Sequence, residues 1–291
     1  MNVLILGDFV GCGDVAMSVS RAVLTRMGHR ALCLPTALIS NTWNLGTPAV
    51  TVTTEYICQA LESWEKNGIS VDAVLLGYLA DARQAEWIAR RCARWHGQGA
   101  TVFLDPIFAD NGKLYAGIPP QRLDFLRELL KSVDYVLPNA TEACFLTGNQ
   151  DPAQAARALV ELGAGAAVVT GVGERSVVLA RKEGLREIPY TPIPGQYSGA
   201  GDAFTALFAG SVLLGRSPED SAEYAAERVG DWIRRHRPAG GAAVGLRKEH
   251  CHEKENPSFA DTGPAPHRLR KPGSPAEPDS GGKPAGGVHL P

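Results

Sequence analysis

The stretch that decides the interpretation of this chain is PGQYSGAGDAFTALFAG, residues 194–210, in which Gly199, Ala200 and Gly201 directly precede Asp202. The apolar run that follows predicts a buried helix. The first turn of a helix has unpaired backbone N–H groups and a positive dipole end, so it attracts anions. Glycines let that backbone approach a phosphate closely, and an aspartate there is placed to accept a proton from an alcohol. The stretch therefore predicts either a phosphoryl-transfer site or a helix start that Ser198 or Asp202 merely caps.

On the N-terminal side of this stretch, short apolar runs alternate with longer amphipathic ones. The candidate strands are residues 2–7, 31–36, 73–77, 101–105, 135–138 and 166–171, and the candidate helices are about 15–28, 51–67, 81–97, 120–132 and 152–163. Repeated strand-then-helix order predicts an α/β domain, with a central, mostly parallel sheet and helices on both faces. The runs SVVLAR and REIPYTP around Glu183 and Gly184 predict an antiparallel hairpin at one sheet edge, and two helices follow near 202–214 and 218–236.

Several small or polar residues follow the predicted strands at their carboxyl ends. They are Asp8, Gly77, Asp105, Asn139 and Gly171. Ligands of open α/β sheets bind at this edge, because the parallel strands all end there. We therefore expect the functional residues of the chain to gather at the carboxyl edge of the sheet.

The composition excludes some classes of partner. A formal net charge of −2 gives no electrostatic reason to expect nucleic acid or an anionic membrane surface. No apolar run approaches the ~20 residues that span a bilayer, and the N-terminus resembles a first strand more than a signal peptide. The six cysteines are scattered without a Cys-x-x-Cys pair, which is typical of reduced thiols in a cytoplasmic protein.

The character of the sequence changes near Pro238. Residues 238–291 contain nine prolines and nine glycines, a composition typical of disorder, so we predict a domain over 1–237 and a disordered tail over 238–291. The run HCHEKE at 250–255 is the only metal-like pattern there. Further ligands at zinc-site spacing are missing around it, so a solvated tail is the favoured interpretation.

Five segments, taken in order, resemble one family. The run GAGDAF resembles the anion-hole and catalytic-base signature of the ribokinase superfamily. The segments LDPIFADNGKLY (104–115), LPNATEACFLTG (137–148), LPTALISN (34–41) and GYL (77–79) resemble those of pyridoxal kinases. The resemblance runs from residue 1 to about 236, and the combination is far more specific than any single motif. The chain thus resembles pyridoxal/pyridoxamine kinases of the ribokinase superfamily.

That resemblance implies a single ribokinase-like domain that phosphorylates the hydroxymethyl group of a vitamin B6 vitamer. It implies ATP and Mg²⁺ as cofactors, a small-molecule substrate, a homodimer and a cytoplasmic location. Two alternatives stay open: a kinase for another small alcohol such as hydroxymethylpyrimidine, and a non-catalytic relative that binds a vitamer or a nucleotide. A dinucleotide-binding turn at GDFVGCG (7–13) is disfavoured, because its glycine spacing is not G-x-G-x-x-G.

The resemblance also implies a role for each matching residue. Asp202 matches the catalytic base, and Gly199, Ala200 and Gly201 match the anion hole. The residues that match the ATP and phosphate side are Asp105, Asp110, Tyr115, Asn139, Glu142, Thr170 and Gly171, with Asp105 and Glu142 nearest the metal. The residues that match the substrate side are Asp8, Ser40, Asn41, Trp43 and Tyr78. Taken singly, these residues also fit ordinary roles in turns, helix caps or the core.

The chain departs from the family on the substrate side. Pyridoxal kinases usually have SNHTG where this chain has SNTWN at 40–44, so Thr42 and Trp43 replace a His-Thr pair. The early segment DFVGCGD (8–14) also differs. A site that hydrogen-bonds its substrate discriminates strongly, so these changes predict an altered specificity. We expect an intact phosphoryl-transfer half and a slow or shifted pyridoxal kinase.

Overall fold

A computed structural model describes residues 1–115, 118, 121–173, 175–195 and 197–236. The predicted tail over 238–291 lies outside this range, so its separation from the domain at 237 stays a prediction. Within the described range, no helix is both long and apolar enough to cross a membrane.

The elements alternate along the chain as the sequence predicts. The strands are β1 (Asn2–Val10), β2 (Arg30–Ile39), β3 (Val50–Val52), β4 (Ala73–Leu76), β5 (Thr101–Leu104), β6 (Ala109–Asp110), β7 (Lys113–Leu114), β8 (Tyr135–Val136), β9 (Ala166–Val172), β10 (Ser176–Arg181) and β11 (Gly184–Pro189). The helices are α1 (Ala16–Arg26), α2 (Thr54–Lys66), α3 (Ala82–Gly97), α4 (Gln121–Leu130), α5 (Ala140–Thr147), α6 (Pro152–Glu161), α7 (Ala200–Leu213) and α8 (Pro218–His236), with a 3₁₀ turn at Trp43–Leu45.

Nine of these strands form one sheet in the order β11-β10-β9-β8-β5-β4-β1-β2-β3. The six strands from β9 to β2 in this order are parallel. Strands β10 and β11 are antiparallel at one edge, which confirms the predicted hairpin. The short β3 adds a second antiparallel pair at the other edge. A separate two-stranded hairpin, β6–β7, lies outside the main sheet.

Helices cover both faces of the sheet, as predicted. Along β1, Val3 and Ile5 belong to one buried cluster while Leu4 and Leu6 belong to the other. Side chains alternate between the two faces of a strand, so a continuous apolar run means that both faces are buried. Helices α1, α7 and α8 pack on the first face, and α2 to α6 pack on the second. This is the predicted α/β fold class.

The structure differs from the predicted elements mainly where they are short. Residues 51 and 52, predicted as the start of a helix, belong to the edge strand β3 (Val50–Val52), and α2 begins only at Thr54. Helix α5 was not predicted, because its apolar residues do not lie on one face. It is defined instead by its capping box of Asn139 and Glu142, which satisfies two end N–H groups reciprocally.

Candidate active site

Three aspartates converge on one small cavity at the carboxyl edge of the sheet. Asp8 lies near the end of β1, Asp105 directly follows β5, and Asp202 lies in the first turn of α7. The cavity has a volume of about 20 Å³, and Gly7, Gly77 and Thr205 also line it. This is room for roughly one water molecule. Of the residues expected at this edge, Asp8, Gly77 and Asp105 line the cavity together.

The carboxylate of Asp202 is held by a residue that lies 186 positions earlier in the chain. The backbone N–H of Ala16 donates to Oδ2 of Asp202 at an N–O distance of 2.7 Å. Burial raises the pKa of Asp202, and this hydrogen bond opposes the rise by favouring the charged form. Ala16 has a φ of 55°, which is uncommon for a residue with a side chain. The carboxylate is therefore fixed in place before any substrate binds.

The two glycines before Asp202 differ in how strictly the structure requires glycine at their positions. Gly199 is the N-cap of α7, with a φ of 82°, and a Cβ added there would lie 2.5 Å from the carbonyl oxygen of Asp14. Only glycine fits such a position without displacing the backbone. A Cβ on Gly201 would meet no atom within 4 Å. Ala200 and Gly201 begin the helix. The N–H of Ala200 donates to the carbonyl oxygen of Tyr197 at 3.2 Å, and the N–H of Gly201 is among the donors that a helix start offers to an anion.

Asp8 shares the cavity with Asp202, and the two carboxyl groups disfavour each other's charge. Desolvation by burial, and after it the charge of Asp202, raise the pKa of Asp8 from 3.8 to about 7. At neutral pH the pair therefore carries less than two negative charges. A carboxyl group with such a pKa can exchange protons near neutral pH.

We expect Asp8→Asn to stabilise the fold at alkaline pH. A carboxyl group whose pKa rises on folding stabilises the protein below pH 4, and that contribution is lost as the pH rises from about 4 to about 7. At pH 8 the free energy of unfolding of the asparagine variant should therefore be roughly 1–3 kcal/mol higher than that of wild type. The full pKa shift of Asp8 sets an upper limit of about 4 kcal/mol for this difference. Urea denaturation at pH 4, 6 and 8 measures this, and an advantage of the variant that does not grow with pH would contradict it.

On the phosphate side, Asp105 is coupled to α7 by a hydrogen bond. The hydroxyl of Thr205 donates to Oδ2 of Asp105 at 2.7 Å. Burial, then the charges of Glu142 and Asp202, raise the pKa of Asp105. Thr205 was not predicted as a site residue. Its position three residues after Asp202 on a helix, which puts both on one face, is the signal that could have found it.

Asn139 and Glu142 lie at the start of α5, next to Thr170. Glu142 is 2% exposed, and its carboxylate accepts hydrogen bonds from the N–H groups of Phe108, Ala109 and Asn139. Burial raises the pKa of Glu142 to about 7, against these three hydrogen bonds. Asn139 pairs with Thr170 in an isolated parallel bridge, and Gly171 follows with a φ of 70°. The structure thus brings these four predicted residues together.

The β6–β7 hairpin carries the two other predicted phosphate-side residues. Asp110 ends β6, and its carboxylate accepts from the backbone N–H and the side-chain amide of Asn111. Tyr115 directly follows β7, and its N–H donates to the carbonyl of Phe108. The hairpin therefore begins close to Asp105 and holds both residues in one compact turn.

The substrate-side residues are less well assembled. Ser40 and Asn41 hydrogen-bond to each other and to the backbone of their own loop, at Ala49 and Gly46. Trp43 begins the 3₁₀ turn and is 50% exposed. Trp43 is not among the residues that line the cavity of the three aspartates.

Tyr78, the fifth predicted substrate residue, follows β4, and the guanidinium of Arg122 lies 5.0 Å from the centroid of its ring. Its backbone carbonyl accepts from the hydroxyl of Thr36 at 2.6 Å. These contacts hold Tyr78 at the carboxyl edge, one residue beyond Gly77 of the cavity. Arg122 was not predicted, and no local sequence pattern connects it to Tyr78.

The acidic groups fit a hard divalent cation held largely by water and phosphate. Among the described residues, no group of three or more His, Cys, Asp or Glu side chains is arranged to enclose a metal ion. Magnesium, however, usually keeps several waters and takes only one or two carboxylates beside substrate phosphates. Asp105 can supply one such oxygen. Glu142 retains one acceptor site after its three hydrogen bonds, since a carboxylate offers about four.

The family profile, a curated relative and a solved structure that match this chain are all kinases of small molecules. The profile of the phosphomethylpyrimidine kinase family matches residues 22–246. The chain is 29% identical over 251 residues to a pyridoxal kinase of Rubrobacter xylanophilus. The aligned region covers 79% of this chain and 85% of the relative. The structure resembles pyridoxal kinase from Lactobacillus plantarum with a TM-score of 0.74 and 26% identity, over 84% and 93% of the two chains.

A second solved structure bears on the ligand. It is a Bacteroides thetaiotaomicron protein assigned to the phosphomethylpyrimidine kinases and crystallised with pyridoxal. Its TM-score is 0.74 at 25% identity, and the match covers 81% of this chain and 88% of that one.

Proposed function

The chain belongs to the phosphomethylpyrimidine kinase family, within the ribokinase-like superfamily, and on this basis we propose that it phosphorylates the hydroxymethyl group of a vitamin B6 vitamer with ATP. One observation carries the proposal: Asp202 is fixed beside Asp8 and Asp105, directly behind the glycine turn that begins α7. A base next to a ready-made anion site is what transfer of a phosphoryl group to an alcohol requires. The pyridoxal kinase names of the relatives support the vitamer as acceptor.

In the proposed reaction, Asp202 accepts the proton of the substrate hydroxyl. The hydroxyl oxygen forms a bond to the γ-phosphorus of ATP, the bond from that phosphorus to the bridging oxygen breaks, and ADP leaves. The N–H groups of the turn at 199–201 stabilise the charge on the transferring group. Ala16 holds the base in place throughout, because its N–H donates to the carboxylate.

On the nucleotide side we propose that Asp105 and Glu142 help to hold Mg²⁺, which neutralises phosphate charge when bound. Asp110, Tyr115, Asn139, Thr170 and Gly171 surround the same edge of the sheet and are proposed to contact ATP. Their clustering around the starts of α5 and β6 supports this assignment. The carboxylate and carbonyl oxygens in this region match the preference of Mg²⁺ for oxygen ligands.

A second acceptor, hydroxymethylpyrimidine, is favoured by the family match itself. The altered segment at 40–44 also permits a change of ring. A coupled kinase assay across pyridoxal, pyridoxamine, pyridoxine and hydroxymethylpyrimidine decides between the two. We expect measurable turnover of at least one vitamer. If only hydroxymethylpyrimidine is turned over, the pyrimidine and not a vitamer is the substrate.

We expect the double change Thr42→His with Trp43→Thr to raise kcat/KM for pyridoxal. It restores two polar groups where the family has them, and each hydrogen bond regained is worth ~1 kcal/mol, so the gain should be roughly 30-fold. Leu45→Thr, on the same 3₁₀ turn and 61% exposed, is the matched control and should change little. An unchanged or lower kcat/KM in the double variant would mean that other residues set the specificity.

We also propose a homodimer in the cytoplasm. The β3 edge of the sheet exposes a band of apolar side chains that includes Phe9, Leu38, Val50 and Val52. Such bands on soluble domains commonly mark association sites, and a two-fold pair of identical copies is the commonest arrangement. The cysteines in the described part of the chain are free thiols, which supports a reducing compartment. Sedimentation of the purified protein measures the assembly.

A further inference from the structure

Two buried acids bind the backbone of three consecutive residues after β5. Asp105 accepts a hydrogen bond from the N–H of Ile107. Oε1 of Glu142 accepts from the N–H groups of Phe108 and Ala109, at 2.8 and 3.3 Å. Successive N–H groups that point to one side form a concave anion site, and here protein carboxylates fill it.

The turn that they bind is conformationally strained. Ile107 has a φ of 39°, and Asn111 in the same segment has a φ of 51°. For a β-branched residue such as isoleucine, a positive φ is a genuine outlier, and it persists only when its surroundings enforce it. Glu142 accepts hydrogen bonds from the N–H groups of the next two residues, Phe108 and Ala109, and so restrains this turn.

Residues at the start of α5 form two further hydrogen bonds with the β6–β7 hairpin. The side-chain amide of Asn139 donates to the carbonyl of Ala109 at 2.8 Å. The N–H of Gly112, in the tip of the hairpin, donates to the hydroxyl of Thr141 at 3.0 Å. The start of β6 and the tip of the hairpin are thus both hydrogen-bonded to the beginning of α5.

We propose that Glu142 and Thr141 are positioning residues, which hold the strained turn and the hairpin so that Asp105, Asp110 and Tyr115 face the phosphates. This deepens the proposed function and rests on it. Three of the acceptor sites of Glu142 serve the backbone, and its side chain is almost fully buried. Glu142 therefore positions the backbone of the nucleotide side with three of its acceptor sites, in addition to the one that it can offer to Mg²⁺.

The sharpest test uses three threonine variants of the full chain. Thr141→Val removes the acceptor for Gly112 without a change of charge, and Thr141→Ser restores it. Thr147→Val is the matched control, because Thr147 makes its hydrogen bonds at the other end of α5, to Ala143 and Asn149. The readouts are amide hydrogen exchange of residues 107–115 in the ligand-free protein, and the separate KM values for ATP and for the alcohol.

We expect Thr141→Val to speed exchange in the hairpin and to raise the KM for ATP, each roughly 3- to 10-fold, the range set by one hydrogen bond. The KM for the alcohol and kcat should stay close to wild type. Thr141→Ser and Thr147→Val should match wild type in both readouts. Unchanged exchange in Thr141→Val, or the same change in Thr147→Val, would overturn the proposal.

Glu142→Gln separates positioning from metal binding. It keeps an oxygen for Phe108 and Ala109 but puts an amide where the N–H of Asn139 needs an acceptor. We expect faster exchange in residues 107–115 of the protein without ligand or Mg²⁺, whatever the variant does to the Mg²⁺ concentration for half-maximal rate. Normal exchange in these residues, with a raised Mg²⁺ requirement, would mean that Glu142 serves the metal ion only and would overturn its positioning role. The exchange readout stands even if wild type phosphorylates none of the vitamers, so the two proposals fail separately.

Discussion

Asp202→Asn is expected to lower kcat by roughly 10²–10⁴-fold, the usual effect of losing a general base. The amide cannot accept the proton of the substrate hydroxyl at neutral pH. Its oxygen can still accept the hydrogen bond from Ala16, so the start of α7 and the fold should be kept. ATP binding should be nearly unchanged, because the N–H groups of the turn remain in place.

Single-turnover rates, ATP titration and thermal unfolding together measure this prediction. Asp220→Asn is a suitable control, since it removes one negative charge from the exposed start of α8. A rate equal to wild type in Asp202→Asn would show that Asp202 is not the base. A loss of ATP binding as large as the loss of rate would assign the residue to the nucleotide site instead.

Gly199→Ala is expected to damage both folding and activity. Its Cβ would lie 2.5 Å from the carbonyl oxygen of Asp14, and the position requires a φ of 82°. A left-handed backbone alone costs a non-glycine residue about 1–2 kcal/mol, and the clash adds to this. Shifting the turn also misplaces the anion-binding N–H groups, and losing one such donor lowers kcat by roughly 10²–10³-fold.

Gly201→Ala is the matched control for this change. The new Cβ meets nothing within 4 Å, so the variant should be as stable as wild type or more stable by about 0.5–1 kcal/mol, since alanine favours a helix. Urea denaturation and kcat of the two variants, measured side by side, test the pair. Equal effects of both substitutions would mean that close approach to Asp14 does not fix the turn.

The fold was predictable because its signals are local and repeat. Apolar runs such as that of β1 contain their own evidence of burial on both faces, and the alternation with helices fixes the sheet as mostly parallel. Helix α5 escaped this logic, because eight residues hold little periodicity and its identity depends on a capping box. The two-residue strands β6 and β7 give no pattern at all.

The site was predictable only as far as short motifs extend. Asp202 and its glycines stand together in the sequence, so their proximity in space follows directly. The hydrogen bond from Ala16 and the packing of Gly199 on Asp14 join residues that are far apart in the chain. Such contacts depend on how α1 and α7 pack, and local sequence does not encode the partner. The same holds for the hydrogen bonds that Glu142 makes to Phe108 and Ala109.

The bond between Ala16 and Asp202 has a consequence for biosynthesis. The two residues are separated by 186 positions, so the ribosome adds the second roughly 10–40 s after the first. During that interval the nascent chain does not yet contain the carboxylate that accepts the hydrogen bond from Ala16. The three aspartates of the cavity therefore come together only when translation is well advanced, and a chain released before residue 202 lacks the proposed base.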